Sequence, residues 1–376
     1  METPNRPLRL LLVLPNWVGD VVMATPALRR VRRALPGSLI GALCRPGIDQ
    51  LLSGTSFIDQ FHPERASGVM GPKRSAAGVR HARYDTALLF TNSFSSALAV
   101  RMAGIPRRIG YDRDGRGLLL TQRLAPPKAG ALALAPVPAC TYYWRLAEAL
   151  VGASAPIPDP LACPLPAGER MELGLSDADK AAGESLLARA GLARGEPYAV
   201  LNPGASKEWK RWPAERFAEL GRHLASAHGM RVVVNGSPAE ADIVAHVVAG
   251  CPDAVGLAAH GVTLGSLKAV IAGARLLVTN DTGPRHIAAA MNTPVVTLMG
   301  PTDWRWSVIP APAGERVVLA DPDLPPDRIA NDNAERCAMT RIDVPRVVAA
   351  TEGVLVAGRV PAAGGERKTP GSRPGL

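Results

Sequence analysis

The stretch "LLVTNDTGPRHIAAAMNTPVVTLMGPTD", residues 276–303, carries one complete strand–helix–strand unit. A buried β run, Leu276 to Thr279, ends in Asn280-Asp281-Thr282-Gly283. A helix begins at once, and a second apolar run ends at Gly300-Pro301-Thr302-Asp303. Joining two such runs through a helix makes the strands parallel and the crossover right-handed. The same rhythm recurs on both sides. Strands are expected near 9–14, 38–43, 86–90 and 107–111, then near 198–202, 230–235, 275–279 and 294–299. Helices are expected near 19–35, 94–103 and 142–152, then near 213–228, 238–249, 264–273 and 283–291. The fold class is α/β: two Rossmann-like, doubly wound domains facing across a cleft. Ligands of such sheets bind at the carboxyl ends of the strands.

The expected boundaries are 1–165 for the first domain and 166–342 for the second. A closing helix follows at 343–357, then a disordered tail at 358–376. Residues 152–170, rich in Pro, Ala and Gly, read as a linker. Segment 63–83, basic and rich in Gly and Ala, reads as a mobile surface loop.

The chain has 376 residues, 47% hydrophobic, with a formal charge of +10, so an anionic partner is favoured. Its five cysteines form no C-x-x-C pair, which argues against a zinc site or a disulfide framework and for a reduced, cytoplasmic setting. No apolar stretch is long enough for a membrane span, and the N-terminal apolar run reads as a strand, not a signal peptide. G-x-G-x-x-G, G-x-S-x-G and the Walker loop are absent, which disfavours dinucleotide oxidoreductases, serine hydrolases and P-loop enzymes. The D-x-D pairs do not follow buried β runs, so no metal site is expected, and Asp177/Asp179 read as surface. Positive charge is spread along the chain with no nucleic-acid module, so nucleic acid is disfavoured.

The polar residues that stand out follow the strands. Asp20 opens a helix after the first strand. It is a candidate general base, kept ionised by the helix N-terminus, or an ordinary helix cap. In "NPGASKEWKRWPAERFAEL", 202–220, Ser206, Lys207, Lys210 and Arg211 lie in a loop before a helix that starts near Pro213. Small residues, a hydroxyl and lysines there suit a diphosphate; a solvated basic loop is the alternative. Glu240 suits ribose hydroxyls, or caps its helix in the Ser237-x-x-Glu240 box. Asp281 can accept hydrogen bonds from sugar hydroxyls, Thr282-Gly283 leaves helix N–H groups for an anion, and His286 lies one turn on.

Together these stretches resemble the ADP-heptose:lipopolysaccharide heptosyltransferases, glycosyltransferase family 9. "LPNWVGDVVMATPAL" resembles the family's acceptor-side motif. "NPGASKEWKRWPAERFAEL" and "VTNDTGPRHIAAAMNTPVVTLMGPTD" resemble its two donor motifs. Weaker echoes lie at 107–124 and 335–348, and the Trp-Val-Gly-Asp form points to the heptosyltransferase II branch. The resemblance implies a GT-B fold and inverting, metal-independent transfer of heptose from ADP-heptose, with no cofactor. It implies Asp20 as the base and Lys210 as the group that stabilises departing ADP. Ser206, Lys210, Thr282 and Gly283 would meet the diphosphate, with His286 beside it. Glu240 would hold the ribose, Asp281 the heptose hydroxyls, and the 262–264 turn would frame the adenine. Position 285 departs from the family pattern, and Arg285 there would add positive charge to the donor site. The implied acceptor is a phosphorylated Kdo–lipid A type sugar at the inner face of the inner membrane. Arg107, Arg108, Arg113 and Arg116, with Lys73 and Arg74, are the side chains expected to meet its charges, Arg113 and Arg116 foremost. Two competing readings are a family 9 transferase with another nucleotide-sugar donor and a non-catalytic nucleotide-sugar-binding protein.

Overall fold

A computed structural model of the chain describes residues 7–64, 68–129, 133–152, 156–325 and 328–359. The expected tail, 358–376, lies outside them apart from the end of the last helix.

The first sheet contains β1 (Arg9–Val13), β2 (Leu39–Cys44), β3 (Gln60–Pro63), β4 (Thr86–Leu89), β5 (Arg107–Tyr111) and β6 (Gln122–Leu124), all parallel, in the order β3-β2-β1-β4-β5-β6. A two-stranded hairpin, β7 (Lys128–Ala129) and β8 (Ala133–Leu134), follows. The second sheet contains β9 (Tyr198–Asn202), β10 (Arg231–Val234), β11 (Val255–Gly256), β12 (Leu276–Asn280), β13 (Val295–Met299) and β14 (Glu315–Leu319). It repeats the same order, β11-β10-β9-β12-β13-β14. Each sheet therefore reverses its winding beside its first strand, between β1 and β4 and between β9 and β12. Those switch points open the crevices in which such sheets take ligands.

Helices cover both faces: α1 (Val18–Ala34), α2 (Ile48–Leu52), α3 (Gly71–Arg80), α4 (Phe94–Met102) and α5 (Ala139–Val151) in the first half. The second half contributes α6 (Asp177–Arg189), α7 (Ala214–His228), α8 (Ala241–Ala249), α9 (Leu264–Gly273), α10 (Gly283–Ala290) and α11 (Val344–Arg359). With both faces covered, the central strands are continuous apolar runs: Leu10, Leu11, Leu12, Val200, Leu201, Leu277 and Val278 are inaccessible to solvent.

All eight expected central strands are present. The four edge strands β3, β6, β11 and β14 escaped the sequence reading. They are short and only partly buried, so their side chains need not be apolar. Two expectations are overturned. Residues 71–80 of the supposed mobile loop form α3, which has Pro72 in its first turn, buries Ala76 and packs Val79 against α4; residues 65–67 of that loop lie outside the described residues. Asp179 is not a surface residue. Its carboxylate caps α6 through Ser176 and lies 3.0 Å from the buried Lys268 ammonium. That ammonium also donates to Leu51 O and to Ser53 O and Oγ, joining α9 to the end of α2.

α1 positions the site. It packs against α5 on one side and α10 on the other, so it belongs to the core of one half and the boundary with the next. This explains why its residues 21–28 are buried throughout. The buried Arg29 is neutralised by Glu169 and Glu172, and Thr25 Oγ1 accepts from the Glu172 N–H at 3.0 Å. The segment between the halves is thereby fastened along α1.

Candidate active site

Two helix N-termini meet at the boundary: that of α1, carrying Gly19-Asp20, and that of α10, beginning at Gly283. The approach is close enough to dictate residue choice. A Cβ on Gly19 would lie 2.5 Å from His286 Cδ2, and one on Gly283 would lie 3.2 Å from Val18. Only glycine at 19 leaves room for the imidazole.

Asp20 stands in the first turn of α1, beside Tyr143 of α5. Burial raises its pKa above the ordinary aspartate value; the Tyr143 hydrogen bond works against this, and the nearby charge of Asp281 adds to it. A carboxylate so placed is a stronger base than one in water and still has a donor that holds it in position. Tyr143 was not legible in sequence, because 123 positions of chain separate it from Asp20; its only signal is the aromatic pair "YY" on a helix facing a strand-end carboxylate. Because the Tyr143 O–H stabilises the anion, Tyr143→Phe is expected to move the acid limb of the kcat/KM–pH profile to higher pH. Measured profiles of both proteins decide this, and an unmoved limb would detach Tyr143 from the group that titrates there.

Across the boundary, Asp281 has a lowered pKa. Its burial is outweighed by the charge and hydrogen bond of Arg285, with Lys210 adding to them. The Arg285 guanidinium bonds Asp281 Oδ1 at 2.8 Å and Glu315 Oε1 at 2.7 Å. Glu315 in turn accepts from Thr297 Oγ1 at 2.6 Å. The expectation for Arg285 is thus corrected. It is buried and neutralised by two carboxylates, and it orients Asp281 instead of adding free charge to the site. His286 is buried too. Burial and the Arg285 charge lower its pKa to about 4, so the imidazole is neutral, and its Nδ1 has no hydrogen-bond partner.

The loop after β9 is fastened to the end of β12. Asn280 donates to Pro203 O at 2.8 Å and accepts from the Trp212 N–H at 3.1 Å. The buried Trp212 indole donates to Ile342 O. The loop between these anchors exposes Ser206 and Lys207, while Lys210 is half-buried, stacks on Trp209, and acts on Asp281. Asn202 Nδ2 reaches Thr282 Oγ1 at 3.2 Å and Thr279 Oγ1 at 3.1 Å, and Asn235 donates to Asn202 Oδ1 at 2.7 Å. Asn202 and Asn280 both donate to Gly204 O, at 3.4 and 3.3 Å, so Asn202, Asn235 and Asn280 form a buried amide network at the ends of β9, β10 and β12. The sequence does carry a signal for it, since each of three apolar runs ends in asparagine. Thr282 precedes α10 and makes no side-chain cap bond to it, so the helix start has no side-chain acceptor of its own, and Pro284 contributes no N–H there.

Glu240 takes up the capping role of its Ser237-x-x-Glu240 box. One oxygen caps the turn through Ser237 N at 2.9 Å and Oγ at 2.8 Å. The other faces Gly204, where a Cβ would collide with it, so the carboxylate adjoins the loop after β9.

On the other side, a cleft of about 620 Å³ opens at the carboxyl ends of β1, β2 and β4, between Trp17, Arg45, Thr91 and Ser93. Trp17 is 63% exposed, with the Arg45 guanidinium 5.6 Å from its ring. Arg45 was missed; it hides in an unremarkable turn after β2. Arg116 requires a correction. It is fully buried, bonding the carbonyls of Tyr111 and Thr91 and the Asn92 amide, and burial lowers its pKa to about 10. It holds the β5 end to the loop after β4 and offers no charge to a ligand. Arg107 and Arg108 are likewise engaged, with Gln122 and with backbone carbonyls. Arg113 is half-buried beside Tyr142, and Lys73 and Arg74 are exposed on α3.

The profile of Glycosyltransferase family 9 (heptosyltransferase) matches residues 74–318. The chain belongs to glycosyltransferase family 9. It is 28% identical to lipopolysaccharide heptosyltransferase 2 of Escherichia coli (strain K12) over 309 residues, covering 78% of this chain and 83% of that one. The structure of E. coli ADP-heptose LPS heptosyltransferase II superposes with a TM-score of 0.74 at 25% identity, over 93% of this chain and 99% of that one. A family 9 glycosyl transferase from Veillonella parvula superposes with a TM-score of 0.76 at 20% identity, over 93% and 97%. The two six-stranded parallel sheets are the GT-B architecture, and the chain is a glycosyltransferase of the heptosyltransferase class.

Proposed function

We propose that this family 9 enzyme moves a heptose from ADP-heptose to a phosphorylated, lipid-linked inner-core sugar of lipopolysaccharide by an inverting displacement that needs no metal. The observation that carries the reading is the pairing across the α1–α10 boundary: a raised-pKa carboxylate, Asp20, faces a donor side built from Asp281, Lys210 and the start of α10. Asp20 accepts the acceptor hydroxyl's proton as that oxygen attacks the anomeric carbon. The bond from that carbon to the ADP oxygen breaks on the opposite face, so the configuration inverts. Lys210 and the α10 N–H groups take up the charge gathering on ADP, the role a divalent ion fills elsewhere. Ser206 and Thr282 complete the diphosphate contacts, Asp281 holds sugar hydroxyls, and Glu240 lies where ribose would arrive. The acceptor enters over Trp17 and Arg45, with Arg113 nearby.

The relatives named as lipopolysaccharide heptosyltransferases support the donor and acceptor class. No helix among the described residues is long and apolar enough to cross a membrane. The exposed basic side chains Lys73 and Arg74 support a reading in which the enzyme works in peripheral contact with the anionic cytoplasmic face of the inner membrane.

Incubation with ADP-heptose, with other nucleotide sugars, and with a defined lipid A–Kdo acceptor, read by mass spectrometry, tests the proposal. Transfer from a different donor, or binding of ADP without turnover, would replace it. The metal-free mechanism has its own check. Turnover is expected to persist in EDTA, and recovery of a chelator-silenced enzyme on adding magnesium or manganese would contradict it.

A further inference from the structure

His223 and His228 lie on α7, the latter as its last residue, and Glu352 lies on α11. Both imidazole Nε2 atoms converge on one oxygen, Glu352 Oε1, at 2.9 Å and 2.7 Å. The three potential ligand atoms lie within 4.8 Å of one another, and all three side chains are partly open to solvent. We propose that His223, His228 and Glu352 form a binding site for a divalent transition-metal ion that clips α11 to the end of α7.

The donor set is two imidazoles and one carboxylate, which suits zinc over magnesium or calcium. Tetrahedral zinc holds ligands at about 2.0–2.1 Å, so neighbouring ligand atoms stand roughly 3.3 Å apart. The two His–Glu separations need to open by only about half an ångström to admit the ion. Solvent access leaves an entry path and room for water as the remaining ligand. Topology sets this site apart from the transfer chemistry. α7 begins beside the Lys210 loop, at the carboxyl end of β9, and runs back to the amino ends of the strands, where β10 starts. His228 is at that far end. An ion there braces two helices and does not reach the donor diphosphate, so the inference is independent of the metal-free transfer proposed above.

The test uses the full-length chain, stripped with EDTA, desalted, and incubated with zinc chloride or magnesium chloride. One zinc per chain is expected to survive a second desalting, and zinc, not magnesium, should raise the Tm by about 3–6 °C. His223→Ala, His228→Gln and Glu352→Gln should each lose the retained zinc and the Tm rise. His246→Ala, at the His246–Glu215 pair, should keep both. Cobalt(II) should give a visible ligand-field absorption that Glu352→Gln abolishes, a readout that fold stability alone does not move. Turnover of His223→Ala at 25 °C should match the unsubstituted chain. Failure of the unsubstituted chain to retain zinc, or equal retention by the His223 and Glu352 variants, would overturn the site.

Discussion

Asp20→Asn keeps the fold and the affinity for ADP and loses transfer by about two to four orders of magnitude, the range for removal of a positioned general base. The amide has nearly the shape of the carboxylate, so packing at the start of α1 is preserved. It can also still accept from the Tyr143 hydroxyl. What it cannot do is take a proton from the acceptor. The size of the loss follows from the environment: burial and the Asp281 charge raise the Asp20 pKa, which strengthens the base that is being deleted. ADP affinity is the internal control, because the donor groups belong to the loops after β9 and β12. Calorimetric ADP binding together with steady-state transfer checks both halves of the expectation. Near-normal turnover would remove Asp20 from the mechanism, and lost ADP binding would mean that the substitution disturbs the α1–α10 contact.

Lys210→Ala is expected to raise the KM for ADP-heptose and lower kcat, with a combined cost in kcat/KM of about 2–4 kcal/mol, the range for one preorganised charge stabiliser. Both parameters should respond because the diphosphate is charged before the reaction and gains charge at the bridging oxygen during it. Lys207→Ala should cost markedly less. Lys207 is exposed at the start of the turn Glu208–Lys210, whereas Lys210 is half-buried and acts on Asp281. Assay of the two variants side by side, with saturating acceptor, separates these positions. Greater damage from Lys207→Ala would show that the roles carried over from the family across 202–212 are shifted.

The local part of this protein was legible in its residues. Continuous apolar runs ending in Asn-Pro-Gly, Asn-Gly-Ser or Asn-Asp-Thr can only be buried parallel strands followed at once by helices. That periodicity gives eight central strands, the α/β class, and a ligand cleft at the strand ends. It also places Asp20, Lys210, Asp281 and Thr282 on those ends, because position relative to a strand is a short-range property. Edge strands escaped, since a partly exposed strand of two to five residues has no compositional signature.

What the sequence could not decide was the partner of each charge. Arg285 beside a donor motif reads as free positive charge until Glu315, thirty positions later, folds against it. Arg116 reads as a phosphate ligand until burial sets it on backbone carbonyls. Asp179 reads as surface until Lys268 reaches it, and the groups that shift the Asp20 pKa, Tyr143 and Asp281, come from distant positions of the chain. In each case hydrophobic patterning determines which segment is buried. The electrostatic fate of a charged group depends instead on neighbours within a few ångströms, which the fold brings from distant parts of the chain.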